Sequence, residues 1–326
     1  MGRGVNSGNP RRADYGRGEY QIESLDFMLT PEAMIAHLRR TLISPNYKPP
    51  LLPSIALELM KLTRQPGVST AEVRKLLERD ALLAAKVLQL AQSALYSRGS
   101  PVRSLHEAIN LLGLRTLGDL FLQTVLSMRV FRADGYDEPM AMLMKHSLLT
   151  AHVARLACRM TAMPDEYAFM CGLLHDAGMA AGLLIFADST GPRSSREGPR
   201  TSREPPRTSR EPRPPSGAAP PPSYAEVAAA LDAVHEEASA ILAEAWKLNP
   251  DIRFVIGSHH HFRSNGRVHP LAAVVCVSDW IASRAGAGMG SESDPMQGED
   301  AAKELHFTRS NLDELAARAK ELLELI

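Results

Sequence analysis

Apolar residues recur every three or four positions along most of the chain, a spacing typical of amphipathic α-helices. Helix-capping residues open several of these segments: Thr30 precedes Pro31 in one, and Ser69 with Glu72 forms a capping box in another. Residues 80–96 are apolar on nearly all sides and predict a central helix. No stretch shows the convincing alternation of a β-strand. The pattern therefore predicts an all-α fold.

The chain after residue 100 predicts a series of further helices. The segment at 104–131 should form two helices that break near Gly113. The other predicted helices cover about 138–160, 164–176, 223–248 as one long helix, 250–262 and 269–286. The helix at 164–176 ends at a His-Asp doublet, residues 175 and 176. A loop rich in Gly, Ser, Asp and Glu should occupy 286–300, and a capped amphipathic helix should end the chain.

Two segments break the helical pattern. Residues 1–22 are rich in Gly and Arg and aperiodic, so we expect them to be disordered. Residues 189–222 repeat a seven-residue unit as SREGPRT, SREPPRT and SREPRPP. Their prolines remove helix donors, which predicts a flexible or polyproline-like insertion. A docking tail for an acidic or proline-recognising partner would suit this composition, but a tolerated low-complexity expansion explains it more simply, and we favour that reading.

Charge and cysteine content narrow the classes of function. Lys and Arg together number 37, as do Asp and Glu, so no net charge draws the chain to nucleic acid or to an anionic membrane. The arginine-containing repeats also lack the interleaved aromatic residues that stack on bases, so nucleic-acid binding is disfavoured. We expect three buried free thiols, no signal peptide and no membrane span, and hence a cytoplasmic protein. The cysteines are Cys158, Cys171 and Cys276.

Histidines and aspartates interrupt apolar stretches at five places along the chain. Asp279 lies within VVCVSDWIA, and an acid in such surroundings is costly unless it is paired or bound to a metal. The remaining members are His146, the doublet His175 and Asp176, His235, and the pair His259 and His260. Each alone is more commonly a satisfied core or surface group, but together they need a shared partner. Imidazole and carboxylate ligands without cysteine suit a divalent Fe, Mn or Zn ion and argue against a structural zinc site.

Several motifs resemble the HD phosphohydrolase superfamily, whose metal site lies in a helical bundle. They are HSLLTAHVARLACRM, AFMCGLLHDAG, SHHHF and VSDWIA. The upstream stretches LLPSIALELMKL and VRSLHEAINLLGL resemble the front half of HDOD domains, the HD-related output domains of bacterial signalling. The resemblance covers residues 51–285 without the insertion. It implies a smaller helical front half at 23–135 and an HD-like bundle at 136–285. The residue pattern itself predicts an acidic loop with a C-terminal helix at 286–326.

The resemblance also implies a ligand set. His146, His175, Asp176 and Asp279 match the basic HD ligands. The other three histidines, 235, 259 and 260, match the additional ligands of HD-GYP phosphodiesterases, which use two or more metal ions. In that scheme Asp176 is the catalytic residue, and its carboxylate would bridge two metal ions. A water bridged by these ions would lose a proton near neutral pH and attack phosphorus.

Two departures from the superfamily pattern count against catalysis. The doublet is commonly followed by Gly-Lys, whereas this chain has Gly178 and Met179, which removes a cation that would face phosphate. The Gly-Tyr-Pro of HD-GYP proteins is also absent after the paired histidines. Arg263 and Arg267 are candidates for a replacement phosphate contact, although surface positions are the simpler reading.

Two hypotheses about function follow from the resemblance. In the first, which we favour because fold does not fix function, the chain is a regulatory signal-transduction module that contacts other signalling proteins and retains a metal-binding HD site. In the second, it is a metal-dependent phosphohydrolase acting on a nucleotide or cyclic dinucleotide. The retained ligand set keeps the question of enzymatic activity open.

Overall fold

The computed structural model describes residues 30–63, 65, 67–96, 102–190, 220–289 and 295–326. Within them the chain is helical, as predicted. The helices are α1 (Pro31–Leu42), α2 (Ser54–Leu62), α3 (Thr70–Leu77), α4 (Ala81–Ala91), α5 (Leu105–Arg129), α6 (Asp137–Met160), α7 (Ala168–Leu174), α8 (Ala177–Thr190), α9 (Tyr224–Asp232), α10 (His235–Ala245), α11 (Pro250–Gly257), α12 (Pro270–Ala282), α13 (Pro295–Glu304) and α14 (Arg309–Leu323). The predicted disordered terminus and most of the predicted insertion lie outside the described residues.

Local signals placed several helix ends correctly. The Thr30 side chain accepts a hydrogen bond from the amide of Ala33 at the start of α1, and Ser69 forms its capping box with Glu72. At Gly113 the backbone of α5 takes a φ of 76°, so the segment is kinked there as predicted. The three cysteines are buried, and none of them forms a disulfide bond.

Other expectations about the helices are wrong. Residues 223–248 form two helices, because the chain turns after Asp232. The loop predicted at 286–300 contains the start of α13. Helix α4 is not central: Val87 and Ala91 are buried, but Ala85 and Gln89 face solvent. A two-residue antiparallel ribbon, β1 (Arg263–Ser264) with β2 (Arg267–Val268), was not predicted.

The front of the chain packs α2, α3 and α4 along α5. In the remainder, α6 packs against α7, α12 and α14, while α10 packs against α8 and α11. Helix α1 lies against α9 and α8 although it precedes the front helices in sequence. Helices α6, α7, α8, α10 and α12 therefore enclose the interior. The His and Asp residues singled out in the sequence lie on these helices or on neighbouring elements.

One stretch departs from the expectation of no membrane span. Residues Ala168–Ser189, which include α7 and α8, are long and apolar enough to cross a membrane by length and composition. The most apolar window of this stretch is 94% buried inside the protein. This degree of burial is what a core helix shows, and the stretch carries the His-Asp doublet.

Candidate metal centre

The seven predicted ligands converge on one interior point. His146 lies in the middle of α6, Asp279 lies on α12, and the doublet lies at the junction of α7 and α8. The others are the first residue of α10, His235, and two residues just past α11, His259 and His260. All are buried except His260, whose side chain is 17% exposed.

Asp176 is the hub of this cluster. One carboxylate oxygen, Oδ2, lies 3.3 Å from His175 Nε2 and 3.6 Å from His146 Nε2. The other oxygen, Oδ1, lies 3.7 Å from Nε2 of both His235 and His259. The two oxygens of one carboxylate thus face two different pairs of histidines, the arrangement expected of a ligand shared between two ions.

Asp279 completes one side of the cluster. Its Oδ1 lies 3.0 Å from His146 Nε2 and 3.9 Å from His175 Nε2, and its Oδ2 lies 4.0 Å from His260 Nε2. Three ligand groups have their candidate donor atoms within 4.8 Å of one another. They are His146, His175 and Asp279; His175, Asp176 and His259; and His235, His259 and His260.

Backbone carbonyls fix the orientation of three imidazole rings. Nδ1 of His175 lies 2.8 Å from the carbonyl of Gly172, and Nδ1 of His235 lies 2.6 Å from that of Asp232. Nδ1 of His259 lies 3.2 Å from the carbonyl oxygen of residue 256. Because a carbonyl oxygen only accepts, each Nδ1 carries a hydrogen and each Nε2 faces the centre, the orientation found in metal-ligating histidines.

The junction of the doublet is held by a close approach between α8 and α10. The Ser239 hydroxyl donates to the carbonyl of His175 and accepts from the amide of Gly178, both at 2.8 Å. A Cβ at Gly178 would lie only 2.0 Å from the carbonyl oxygen of His235, so this position needs glycine. Ser239 had no signal in the sequence beyond its position four residues after a candidate ligand.

Glu236 is a second residue that sequence reasoning missed. Its carboxylate accepts from the backbone amide of His260 at 2.8 Å and lies 2.6 Å from Nδ1 of His261. It also lies 3.7 Å from Nδ1 of His259. Glu236 therefore anchors the three-histidine segment to α10 from outside the cluster.

The charges of the cluster suit a cation. Burial raises the pKa of the Asp176 carboxyl, but the imidazoles of His175, His235 and His146 outweigh it and hold this pKa well below its usual range. The pKa of Asp279 is likewise lowered, because His146 outweighs the effect of burial. Both side chains are therefore anionic at neutral pH.

The histidines after α11 are held in the neutral form that metal ligation requires. Burial lowers the pKa of His259 well below its usual range, and the neighbouring His260 adds to this effect. Burial likewise lowers the pKa of His260. The neutral imidazoles of His259 and His260 and the two anionic carboxylates are in the protonation states that bind divalent ions. Burial also lowers the pKa of His175, but Asp176 and Asp279 outweigh it and raise this pKa, so metal ligation by this imidazole would release a proton.

Two buried imidazole nitrogens without a hydrogen-bond partner among the described residues bear on whether the cluster fits a metal ion. Nε2 of His235 and Nε2 of His259 are buried and have no hydrogen-bond partner among the described residues. A buried polar atom left in this state costs about 1–3 kcal/mol. Both atoms point toward the same Asp176 oxygen, so a cation among them would satisfy all three groups, and the residues fit a metal ion.

A small cavity adjoins the cluster. Its volume is about 30 Å³. It is lined by His146, Asp176, Met179, Asp232, His235, His260, Asp279, Ser283 and Met289. Met179, which replaces the lysine of the superfamily pattern, forms part of its wall and is 3% exposed. Among the described residues that line it there is no Lys or Arg.

The two candidate arginines lie elsewhere. Arg263 and Arg267 are exposed on the two-stranded ribbon, and the Arg263 guanidinium donates to Glu304. Neither lines the cavity. The simpler reading of these two residues as surface arginines agrees with the structure.

The HDOD domain family model matches residues 50–194. An uncharacterized protein of Treponema pallidum (strain Nichols) is 29% identical over 133 residues, which are 40% of this chain and only a quarter of that relative's length. The family match covers the front half and the doublet.

Solved structures with the same arrangement of helices cover most of the chain. A protein of Shewanella amazonensis described as a candidate metal-dependent phosphohydrolase has a TM-score of 0.59 at 15% identity, over 90% of this chain and 99% of its own. An HDOD domain protein of unknown function from Geobacter sulfurreducens has a TM-score of 0.55 at 21% identity, over 90% and 99%. A candidate signal transduction protein of Marinobacter aquaeolei has a TM-score of 0.60 at 17% identity, over 93% and 66%. At these identities the comparison shows the fold.

Proposed function

We propose that the chain is a bacterial signalling module of the HDOD family that acts through contacts with other proteins and holds metal in its HD site, because the HDOD domain family model matches residues 50–194. The observation that carries the metal-binding part is the convergence of seven His and Asp side chains whose donor atoms face one another in the interior. The signalling part rests on the family and on the described role of one structural relative.

The division of ligands within the site follows from the two faces of Asp176. His146, His175 and Asp279 would hold an ion on the side of Oδ2, and His235, His259 and His260 would hold one on the side of Oδ1. Imidazole and carboxylate donors suit Fe, Mn or Zn. A bound divalent ion would supply Lewis acidity at this point. The backbone carbonyls hold the imidazole rings in place, and Ser239 holds the turn of the doublet.

The alternative, a phosphohydrolase acting on a nucleotide or cyclic dinucleotide, is favoured by the completeness of this ligand set. Two observations weigh against it. The cavity of about 30 Å³ is far below the roughly 300–1,000 Å³ of small-molecule sites. Phosphate charge would also find no Lys or Arg among the described residues of the cavity wall. We therefore place the regulatory role first.

Metal content and turnover, measured on the same preparations, test the proposal. Elemental analysis of the full-length chain should find about two Fe, Mn or Zn ions per chain, as a two-metal site requires. Asp176→Asn should lose most of this metal, because it removes the charge of the shared carboxylate. His106→Asn changes an exposed histidine outside the cluster and serves as the matched control.

The same samples are assayed with a generic phosphodiester and with cyclic di-GMP. We expect no turnover above that of the Asp176→Asn variant. Turnover that disappears in this variant and persists in His106→Asn would replace the regulatory proposal by the enzymatic one. A wild-type chain that takes up none of the three metals would overturn the metal centre itself.

A further inference from the structure

We propose that Met289 is a plug that determines which chemical species reach the metal centre, admitting ligands of the size of one or two water molecules and excluding phosphoesters. This inference deepens the proposed function and rests on it for the identity of the centre. It concerns a residue that contributes no polar ligand atom to the His/Asp cluster and that no motif in the sequence marks.

The size of the cavity sets the limit on what enters. A buried water needs about 10–15 Å³ of such space, so a cavity of about 30 Å³ holds about two. Met289 and Met179 line this cavity together with the polar ligands and are 4% and 3% exposed. The two thioether side chains close the space that a phosphate group and its ester would need.

One hydrogen bond and a packed turn position Met289. The Tyr224 hydroxyl, on α9, donates to the Met289 carbonyl at 2.9 Å. On the chain side, the turn Ser283–Ala287 continues α12 in a wider, π-type coil that contains Gly286, where φ is 110°. A Cβ at Gly286 would lie 3.5 Å from Leu323, which shows that α14 packs behind the turn. The plug is therefore set by packing and by one hydrogen bond.

Met289 shares its cavity with candidate ligands. His235, whose Nε2 is buried and has no hydrogen-bond partner among the residues that the structure describes, lines the same cavity. Ser283, at the start of the turn, lies 3.5 Å through its hydroxyl from Asp279 Oδ1. The segment that carries Met289 thus begins in contact with one candidate ligand and ends at a residue that shares a cavity with another.

Chemical labelling of histidines in the full-length chain, freed of metal by a chelator, tests the plug directly. Diethyl pyrocarbonate modifies accessible neutral imidazoles, and peptide mass spectrometry locates the modification. His106 and His261 are exposed and give the reference rate. If His235 reacts only through a minor open state populated at about 0.1–10%, its labelling is about ten- to thousandfold slower than theirs.

Two variants remove the plug in different ways. Met289→Ala deletes the thioether side chain, and we expect the rate at His235 to rise to within a few fold of the reference. Tyr224→Phe keeps the methionine but deletes the hydrogen bond to its carbonyl, and we expect a smaller rise. Met142→Ala, at a methionine 42% exposed on α6, is the matched control and should leave the protection unchanged.

Each outcome bears on the proposal. Wild-type His235 labelled at the reference rate, or equal protection in wild type and both plug variants, would overturn it. If Met289→Ala fails to fold, Tyr224→Phe alone decides. Metal content of untreated samples is measured separately. Bound metal together with an unprotected His235 would refute the plug but support the metal centre. A protected His235 without bound metal would refute the metal centre but support the plug.

Discussion

Replacing Gly178 with alanine should separate two helices and empty the metal centre. The added Cβ would lie 2.0 Å from the carbonyl oxygen of His235 and 2.7 Å from the amide nitrogen of Ser239, whereas ordinary contacts begin at 3.4 Å. Both obstacles are backbone atoms of α10, so α8 and α10 must part by more than about 1 Å. Overpacking of this kind costs about 1–3 kcal/mol of the free energy of unfolding.

The same movement has a larger effect on the site. His235 Nε2 and His259 Nε2 both lie 3.7 Å from Asp176 Oδ1, across the interface that would open. Metal–ligand distances tolerate deviations of only about 0.2 Å. We therefore expect Gly178→Ala to lose most bound metal even at temperatures where it remains folded.

Gly182→Ala is a matched control on the same helix. Its added Cβ would meet Leu231 Cδ2 at 2.3 Å, which is the end of a flexible side chain that can rotate away. Alanine is also the better helix former by about 1 kcal/mol, so the net change in stability should be close to zero. Urea unfolding and elemental analysis of both variants give the comparison. Equal stability and equal metal content in the two variants would refute the reasoning.

Three further predictions concern other parts of the interior. Ser239→Ala should lower the free energy of unfolding by about 1–3 kcal/mol in urea titrations, because it leaves a buried amide unpaired; a change as small as that of a surface serine would contradict this. Burial lowers the pKa of His152 from 6.5 to about 3, so the unfolded state binds a proton that the folded state does not, and stability should fall as the pH drops from 6.5 toward 3. The slope of stability against pH, measured by urea unfolding, should decrease in His152→Gln by about 1.4 kcal/mol per pH unit, and identical slopes would refute the assignment. Asp119→Ala should destabilise the chain by about 3–5 kcal/mol in the same assay, because it removes the carboxylate that pairs with the largely buried Arg155. Asp313→Ala, which breaks an exposed pair, should change the stability little. Similar effects of the two variants would argue against a buried ion pair.

The sequence predicted the all-α fold and the gathering of seven residues, because polar groups in apolar helices must find partners. It did not show which atoms would face which. That Asp176 divides its two oxygens between two pairs of histidines depends on how five elements pack, and no spacing along the chain encodes it. The assignment of these residues as metal ligands stays a prediction.

The features that the sequence did not predict depend on local contacts and turns of the backbone. Residues 223–248 read as one amphipathic helix, yet the carbonyl of Asp232 accepts from the His235 ring, and the helix breaks there. The same contact of a histidine ring with a carbonyl three residues earlier occurs at the doublet and after α11. Met289 was missed because its position depends on the π-type turn before it, which hydrophobic periodicity cannot predict.

The buried stretch Ala168–Ser189 has a consequence for the newly made chain. Before the bundle forms, this stretch is a 22-residue apolar segment that meets the length and composition criteria of a membrane-spanning helix. Asp176 lies near its middle, where an aspartate adds about 2.5–3.5 kcal/mol to the free energy of insertion and so offsets several leucines. The carboxylate at the hub of the candidate metal centre thus also opposes diversion of the nascent chain into a lipid bilayer.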